Sequence, residues 1–555
     1  MKMPFAILLL LFYFVSAQEK RPNIIFFLAD DLGYGHLGSY GQKEIMTPRL
    51  DTMASEGILF TNAYAGSSIC APSRSTLMTG QHTGYTRIRD NPISPRNPLE
   101  PEDITVAEVL KNAGYLTGLI GKWGLGDIGT TGDPNAQGFD YFYGYQTHNH
   151  SQDYYPEYLY RNGQKIILTG NLNGEKGEYT HDLFTQEAKD LIHSWRMKPF
   201  FLQIAYTIPH AFNPGNTNPV PSQDPYTDKP WPEEQKNVAA MITRMDTDVG
   251  EILDLLKAEG IDNKTIVFFS SDNGPHSEGG HDPNYHDANG PFRGIKRDLY
   301  EGGIRVPMIV RFPGTIQPGG TSNLLTAFWD FLPTAAEIAS APLPEGINGI
   351  SILPELFGYP QLQAVHDYLY WEMHKGGFKQ AVRKGNWKGV RNTSVDLHGN
   401  VSGSTELYDL SVDIGESNNV AGANLTIVAE IEDIFVNGRT PSAYWSSPID
   451  GSKLNVNNID PTPESFALYA NYPNPFNPTT TILYDLPEAA TVHLVIYDVL
   501  GRLVRTLVNQ DLSAGYHRAV WDATDDLGRP LSGGLYIYRI QAGGYSKTMK
   551  MVLLK

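Results

Sequence analysis

Only one cysteine, Cys70, occurs in 555 residues, so no disulfide can form within the chain and a cross-linked extracellular scaffold is excluded. Positive charge is also scarce: 43 Lys and Arg stand against 61 Asp and Glu, a formal net charge of −18. A surface of that sign repels phosphate backbones, which argues against a nucleic-acid partner. Beyond the first residues, no apolar run approaches the roughly 20 residues that a membrane-spanning helix requires. With 41% hydrophobic and 19% charged residues the composition is that of an ordinary globular protein, and the length predicts roughly two to four folding units.

The N-terminus opens Met1-Lys2-Met3-Pro4, continues as an apolar run, and reaches Val15-Ser16-Ala17 before Gln18-Glu19-Lys20. A positive start, a short apolar stretch and small residues at the cut predict a signal peptide over residues 1–17, hence a secreted or cell-surface protein. A retained anchor is the alternative. The single thiol of an exported chain then needs a purpose other than a disulfide.

From Asn23 to about Ser340 apolar runs alternate with helical patterns, the signature of an α/β domain with a largely buried sheet. Strands are predicted over Asn23 to Ala29, Tyr115 to Gly121, Pro199 to Tyr206, Thr265 to Ser271 and Val306 to Phe312. Helices are predicted from Thr47-Pro48, from about His181 to Trp195, and from Glu233 to Ala258. The catalytic α/β domain is therefore bounded at residues 18–350, and a small α+β subdomain with short aromatic-rich strands occupies 351–437. Residues 438–464, rich in Ser, Pro, Asn and Asp without periodicity, read as a linker. Alternating strands separated by glycine turns over 465–555 predict an all-β sandwich.

Three segments of that tail resemble the C-terminal sorting domains of the type IX secretion system: Tyr472-Pro473-Asn474-Pro475-Phe476-Asn477-Pro478, Val499-Leu500-Gly501-Arg502 and Gly533-Gly534-Leu535-Tyr536. The resemblance implies secretion machinery as a partner. An accessory or carbohydrate-binding sandwich is the alternative.

The chemistry centres on Cys70-Ala71-Pro72-Ser73-Arg74, followed by Ser75-Thr76-Leu77-Met78-Thr79-Gly80. This run is similar to the C-x-P-S-R sequence of sulfatases, whose cysteine a maturation enzyme oxidises to formylglycine. The resemblance implies a geminal diol: one hydroxyl attacks sulfur, and the other, deprotonated, expels sulfate. Placement at a helix start favours negative charge. A buried inert cysteine is the bland alternative.

Asp30-Asp31 ends the first predicted strand and Asp272-Asn273-Gly274 follows Thr265 to Ser271. Either pair alone is an ordinary loop signal, but together they form an all-oxygen set suited to calcium or magnesium. By the sulfatase resemblance Asp30, Asp31, Asp272 and Asn273 hold calcium, with an oxygen at position 70 completing the shell. The resemblance further implies that Lys122 and Lys296 hold the sulfate, Arg74 positions the formylglycine, and His210 with Lys296 serves the leaving oxygen.

One position departs from the family pattern. Many sulfatases carry a histidine two residues after the lysine of Gly121-Lys122-Trp123, where this chain has Gly124. The substitute is sought in Thr147-His148-Asn149-His150, with His148 as proton acceptor and His150 facing the saccharide; if the loop is extended, both rings line one pocket. Gly124 and the tyrosine-rich block from Gly138 to Tyr155 resemble a group of bacterial sulfatases acting on saccharides. Of the histidines from His276 to His286, His276 is expected to reach substrate. A zinc site including His281, Asp282 and Asp287 is the competing reading.

These readings predict an alkaline-phosphatase-like α/β sandwich with a central mixed β-sheet, a small α+β C-terminal subdomain, then the all-β sandwich. The predicted activity is hydrolysis of sulfate esters, on a sulfated saccharide. Phosphate or phosphonate ester hydrolysis on the same scaffold, and an inactive saccharide-binding relative, are the alternatives.

Overall fold

The structure is a computed structural model, describing residues 21–554 apart from 92–96, 146, 214, 376, 396–400, 446, 448–464 and 472–473. The predicted signal peptide, the end of the predicted linker and Tyr472-Pro473 of the sorting motif lie outside the described residues.

Asn23–Asp30 is buried along its whole length, as an uninterrupted apolar run should be when a sheet is covered on both faces. It lies inside a ten-stranded sheet. Parallel partners flank it: Phe200–Pro209 on one side and Thr265–Ser271 on the other. Beyond Phe200–Pro209 come Leu116–Gly121 and Tyr141–Gly144, also parallel, while Met308–Arg311 runs antiparallel beside Thr265–Ser271. The sheet is therefore mixed, with a parallel centre.

Side-chain alternation along Asn23–Asp30 divides the interior in two. Ile25 and Phe27 face one core, built with Val238, Met241 and Met245 of the helix Glu233–Ala258 and Phe184 of the helix Thr180–Trp195. Ile24, Phe26 and Leu28 face the other, with Leu77 and Met78 of the helix Cys70–Thr79 and Leu332 of the helix Phe331–Ala339. The longest helix carries Glu233 and Glu234 in its first turn and Lys257 in its last, the charge order its dipole favours.

The subdomain is an antiparallel sheet of Leu369–Met373, Phe378–Lys384, Trp387–Val395 and Thr405–Asp409, covered by the helix Leu425–Asn437. Buried charges join it to the catalytic domain: Lys388 Nζ donates to Glu301 Oε1 at 2.8 Å and to Glu416 Oε1 at 3.3 Å.

The first residues of the predicted linker are docked rather than free. Arg439 pairs with Glu372 at 2.5 Å, Thr440 N–H donates to Gly84 O at 3.0 Å, and Trp445 Nε1 donates to Arg87 O at 2.9 Å. Their Ser- and Pro-rich neighbours hide this in the sequence. The first compact unit accordingly runs to Asp450 and the second spans Gly451–Lys555.

That second unit packs a three-stranded sheet and a four-stranded sheet, all antiparallel, around Trp521, Tyr538, Ile496 and Val492. Its strand Leu503–Leu512 leaves little trace in the sequence. It lies at a sheet edge, is interrupted by register shifts and has no fully buried residue, so the period-two signal is weak. No helix among the described residues is long and apolar enough to cross a membrane.

Candidate active site

Four parallel strands deliver their carboxyl ends to one place. Asp30 closes Asn23–Asp30, Lys122 follows Leu116–Gly121, His210 follows Phe200–Pro209, and Asp272-Asn273 follow Thr265–Ser271. This is where an open α/β sheet leaves a crevice for ligands. A continued strand would send Asp30 and Asp31 to opposite faces. Asp31 instead takes φ +66, a left-handed turn that costs a non-glycine residue energy and recurs at functional sites, and both carboxylates enter the cluster.

Cys70 is the first residue of the ten-residue helix Cys70–Thr79, every residue of which is buried. Ile69, at the N-cap position just before the helix, offers no capping side chain. Asn91 supplies the cap from outside, its Oδ1 accepting from Ala71 N–H at 3.0 Å. Ser73 Oγ accepts from Gly66 N–H at 3.1 Å, which fixes the approach to the helix. The Cys70 thiol lies 3.5 Å from Asp30 Oδ1. Burial first, then the charge of Asp30, push its pKa well up.

Cations interleave with the acids. Lys122 Nζ donates to Asp30 Oδ2 at 2.6 Å, and Lys296 Nζ to Asp31 Oδ2 at 2.7 Å. Arg74 Nε and Nη2 both donate to Asp272 Oδ2, at 3.0 and 2.7 Å, and Nη1 to Lys122 O at 2.8 Å. Burial, then the charge of Asp30, nevertheless push Asp272 up to about 7. Burial would also lift Asp30 and Asp31, but Lys122 and Lys296 hold them below the usual carboxylate range.

The ligand atoms of Asp30, Asp31, Cys70 and Asp272 all lie within 4.8 Å of one another. Asn273 Nδ2 donates to Asp31 Oδ1 at 2.7 Å, whereas its buried Oδ1 has no partner. A buried amide oxygen without a donor, beside crowded carboxylates, fits a hard divalent cation.

His210 Nδ1 bonds to Ala211 O at 2.6 Å, which turns Nε2 toward Asp31 Oδ2 at 3.6 Å. Burial, then Lys296, lower its pKa to about 4. His148 lies beside Gly124 with Nδ1 buried and unpartnered; burial, then Lys122, lower its pKa well below the ordinary value. His276 Nε2 bonds to Pro209 O at 2.9 Å and Nδ1 accepts from Glu278 N–H at 3.1 Å, and its ring centroid is 6.2 Å from that of His210.

His150 does not share a face with His148. Asn149 has helical torsions and leads into the turn His150–Gln152, so the segment is not the extended loop that two-residue spacing assumed. The His150 ring packs on Tyr158 at 4.6 Å and Tyr145 at 5.4 Å. The competing zinc cluster is not assembled either. Among the described residues, His281, Asp282 and Asp287 enter none of the groups whose ligand atoms converge; His281 Nδ1 instead bonds Gln235 at 3.0 Å.

Two residues of this site carried no sequence signal. Asn91 caps the nucleophile helix from a loop, and Glu278 lies beside Asp31 and Lys296, its Oε2 3.1 Å from Lys296 Nζ. Only spatial proximity reveals them.

Comparison with known proteins places this geometry. The sulfatase family model matches residues 22–341, a model of the C-terminal region of N-sulphoglucosamine sulphohydrolase matches 293–435, and a FlgD Ig-like domain model matches 476–545. An N-acetylgalactosamine-6-O-sulfatase of Bacteroides thetaiotaomicron is 30% identical over 509 residues, covering 76% of this chain and 94% of the relative. Arylsulfatase A of Homo sapiens is 32% identical over 458 residues, covering 73% and 84%. The crystal structure of Ps i-CgsB with a neocarrahexaose superposes with a TM-score of 0.64 at 26% identity, covering 75% of this chain and 92% of that one.

The fold and the named relatives make this chain a sulfuric ester hydrolase. The chain belongs to the sulfatase family.

Proposed function

We propose that this protein removes sulfate from a sulfated saccharide outside the cell, with a formylglycine made from Cys70 by a maturation enzyme and a calcium ion held by Asp30, Asp31, Asp272 and Asn273. The observation that carries the reading is the convergence of Cys70 with those acids, together with the unpartnered Asn273 Oδ1. The names of similar proteins, an N-acetylgalactosamine-6-O-sulfatase and a structure bound to a neocarrahexaose, support a saccharide. Calcium would neutralise the crowded carboxylates and favour an anionic ester. Formylglycine supplies, as its hydrate, two hydroxyls on one carbon, one to take the sulfate and one to release it.

The chain's own side chains fill the remaining roles. Lys122 spends one N–H on Asp30 and keeps two for sulfate oxygens. Arg74, held by Asp272 and Lys122 O, fixes the base of the pocket and positions residue 70. Lys296 and His210 face the leaving oxygen, where charge develops. His148 takes the proton whose loss lets sulfate depart, while His276 and His150 contact the saccharide. The C-terminal sandwich serves export through the type IX system.

The test is sulfate release by matured protein from a panel of defined sulfated oligosaccharides, with phosphate esters in parallel. Sulfate release with formylglycine at residue 70 is the expected result; turnover confined to phosphate esters would overturn the reading.

A further inference from the structure

A lysine ammonium has three N–H donors, and the structure commits two of those on Lys296. One goes to Asp31 Oδ2 at 2.7 Å and one to Glu278 Oε2 at 3.1 Å. Tetrahedral geometry then fixes the direction of the third. Lys122 differs, its ammonium bonding only Asp30 among the described residues.

Glu278 is itself held. Arg297 Nη2 donates to its other oxygen, Oε1, so both carboxylate oxygens are engaged by cations. Arg297 is anchored in turn: its N–H donates to Ser68 O at 2.9 Å and its carbonyl accepts from Lys379 Nζ at 2.8 Å. Its backbone sits at φ +77, a strained conformation for a residue other than glycine. Ser68 precedes Cys70 by two residues, and Lys379 belongs to the subdomain strand Phe378–Lys384. The loop bearing Lys296 is thus tied both to the start of the nucleophile helix and to the C-terminal sheet.

Charge neutrality alone does not require this. Lys296 is buried, and Asp31 already pairs with it. A second carboxylate brought to the same ammonium adds a desolvation cost that simple ion pairing does not need. Among the described residues, the carboxylate of Glu278 bonds no side chain other than Lys296 and Arg297.

We propose that Glu278 is a positioning residue that aims the third Lys296 N–H at the departing oxygen, with Arg297 as its clamp. This rests on the sulfate-ester reading of the site. An aimed donor matters in proportion to the charge that develops on the leaving oxygen. A sugar alkoxide develops much of it and needs the donor; a nitrophenolate delocalises the charge and needs it less.

The experiment compares 4-nitrophenyl sulfate with the sugar sulfate that matured wild-type protein cleaves fastest. Absence of sulfate release by wild type from either class would refute the sulfatase reading itself, whatever Glu278 does. Given wild-type turnover, Glu278→Gln is expected to lose about 10- to 100-fold in kcat on the sugar sulfate, the usual scale for outer-shell partners of active-site groups, with KM within about threefold. On the aryl ester the loss is expected to be smaller, by a factor of at least about five. Equal losses on both substrates, or a raised KM with unchanged kcat, would overturn the proposal. Should Glu278→Gln fail to fold by thermal melting, Arg297→Ala keeps the carboxylate but frees it. It is expected to show the same leaving-group dependence at smaller amplitude, largely restored in Arg297→Lys. Arg297→Ala without that dependence would overturn the proposal.

Discussion

A β-carbon built on Gly124 would stand 3.2 Å from Nδ1 of His148, so the space a side chain at 124 would occupy borders the imidazole that arrives from the loop after Tyr145. Glycine also suits the backbone there, at φ +83. His148→Ala is therefore expected to transfer one sulfate to the enzyme and then stall, with kcat reduced by about 10²- to 10⁴-fold, the usual worth of a positioned base. Intact-protein mass after rapid mixing reads the retained sulfate. Turnover at the wild-type rate would remove His148 from the mechanism. Gly124→Ala is expected to lower both turnover and melting temperature, since a side chain at that φ costs about 1–2 kcal/mol and presses on the ring.

At residue 70 itself, active protein is expected to carry formylglycine, read by peptide mass spectrometry. Cys70→Ala should abolish turnover. Cys70→Ser should complete at most one sulfate transfer, because a single hydroxyl offers no second group to expel sulfate. An enzyme fully active with only cysteine at position 70 would defeat this prediction.

Much of the site could be read from the sequence because Asp30, Lys122, His210 and Asp272 each directly follow an apolar run, and apolar runs of a buried parallel sheet are easy to recognise. Their common position at the carboxyl ends of neighbouring strands follows from the fold class. Glu278 and Asn91 escaped because they act through contacts across 18 and 20 residues, to Lys296 and Ala71, which periodicity does not report. The divergence of His148 and His150 escaped too. It depends on the torsions of Asn149, and a short polar loop leaves those unspecified. Arg439 and Trp445 dock within a stretch whose composition reads as linker, since one buried and one half-buried side chain do not change a local average.

Metal content offers an independent check on the acids. Bound calcium is expected by elemental analysis, and its removal by chelator should lower both the melting temperature and activity. At free calcium a hundredfold above Kd the stabilisation would be about 2.7 kcal/mol. Asp31→Asn and Asn273→Ala should each weaken calcium binding in a titration that does not depend on turnover. Full activity in protein free of metal would contradict the assignment.

A chain ending at Asp450 should keep kcat within about twofold of the full chain, because the compact unit holding the site ends there and separate units fold on their own. The same truncation is expected to remain inside its native host. A folded but inactive truncation would show that the sandwich contributes to catalysis. Export of the truncated chain would remove the sorting role of the tail.

Glu372 sets a test of acid stability away from the site. It is fully buried, where Arg89 Nη1 donates to Oε1 at 2.8 Å and Arg439 Nε to Oε2 at 2.5 Å. Burial alone would raise its pKa from the ordinary 4.5, but the hydrogen bond from His374 and the charges of Arg89 and Arg439 bring it down to about 2. A carboxylate depressed in the folded state contributes stability that is present above the unfolded value and lost as pH falls through the folded one. Wild type should therefore lose this contribution progressively between about pH 4.5 and pH 2. Glu372→Gln removes the buried carboxylate charge that Arg89 and Arg439 both bond, and about 3–5 kcal/mol should be lost at neutral pH. The gap between the variant and wild type should then narrow on acidification, because protonating Glu372 in wild type removes the same charge. Urea melts of both proteins across that range measure it, and a gap that stays constant with pH would show that the three-way pair is not what stabilises the docked segment.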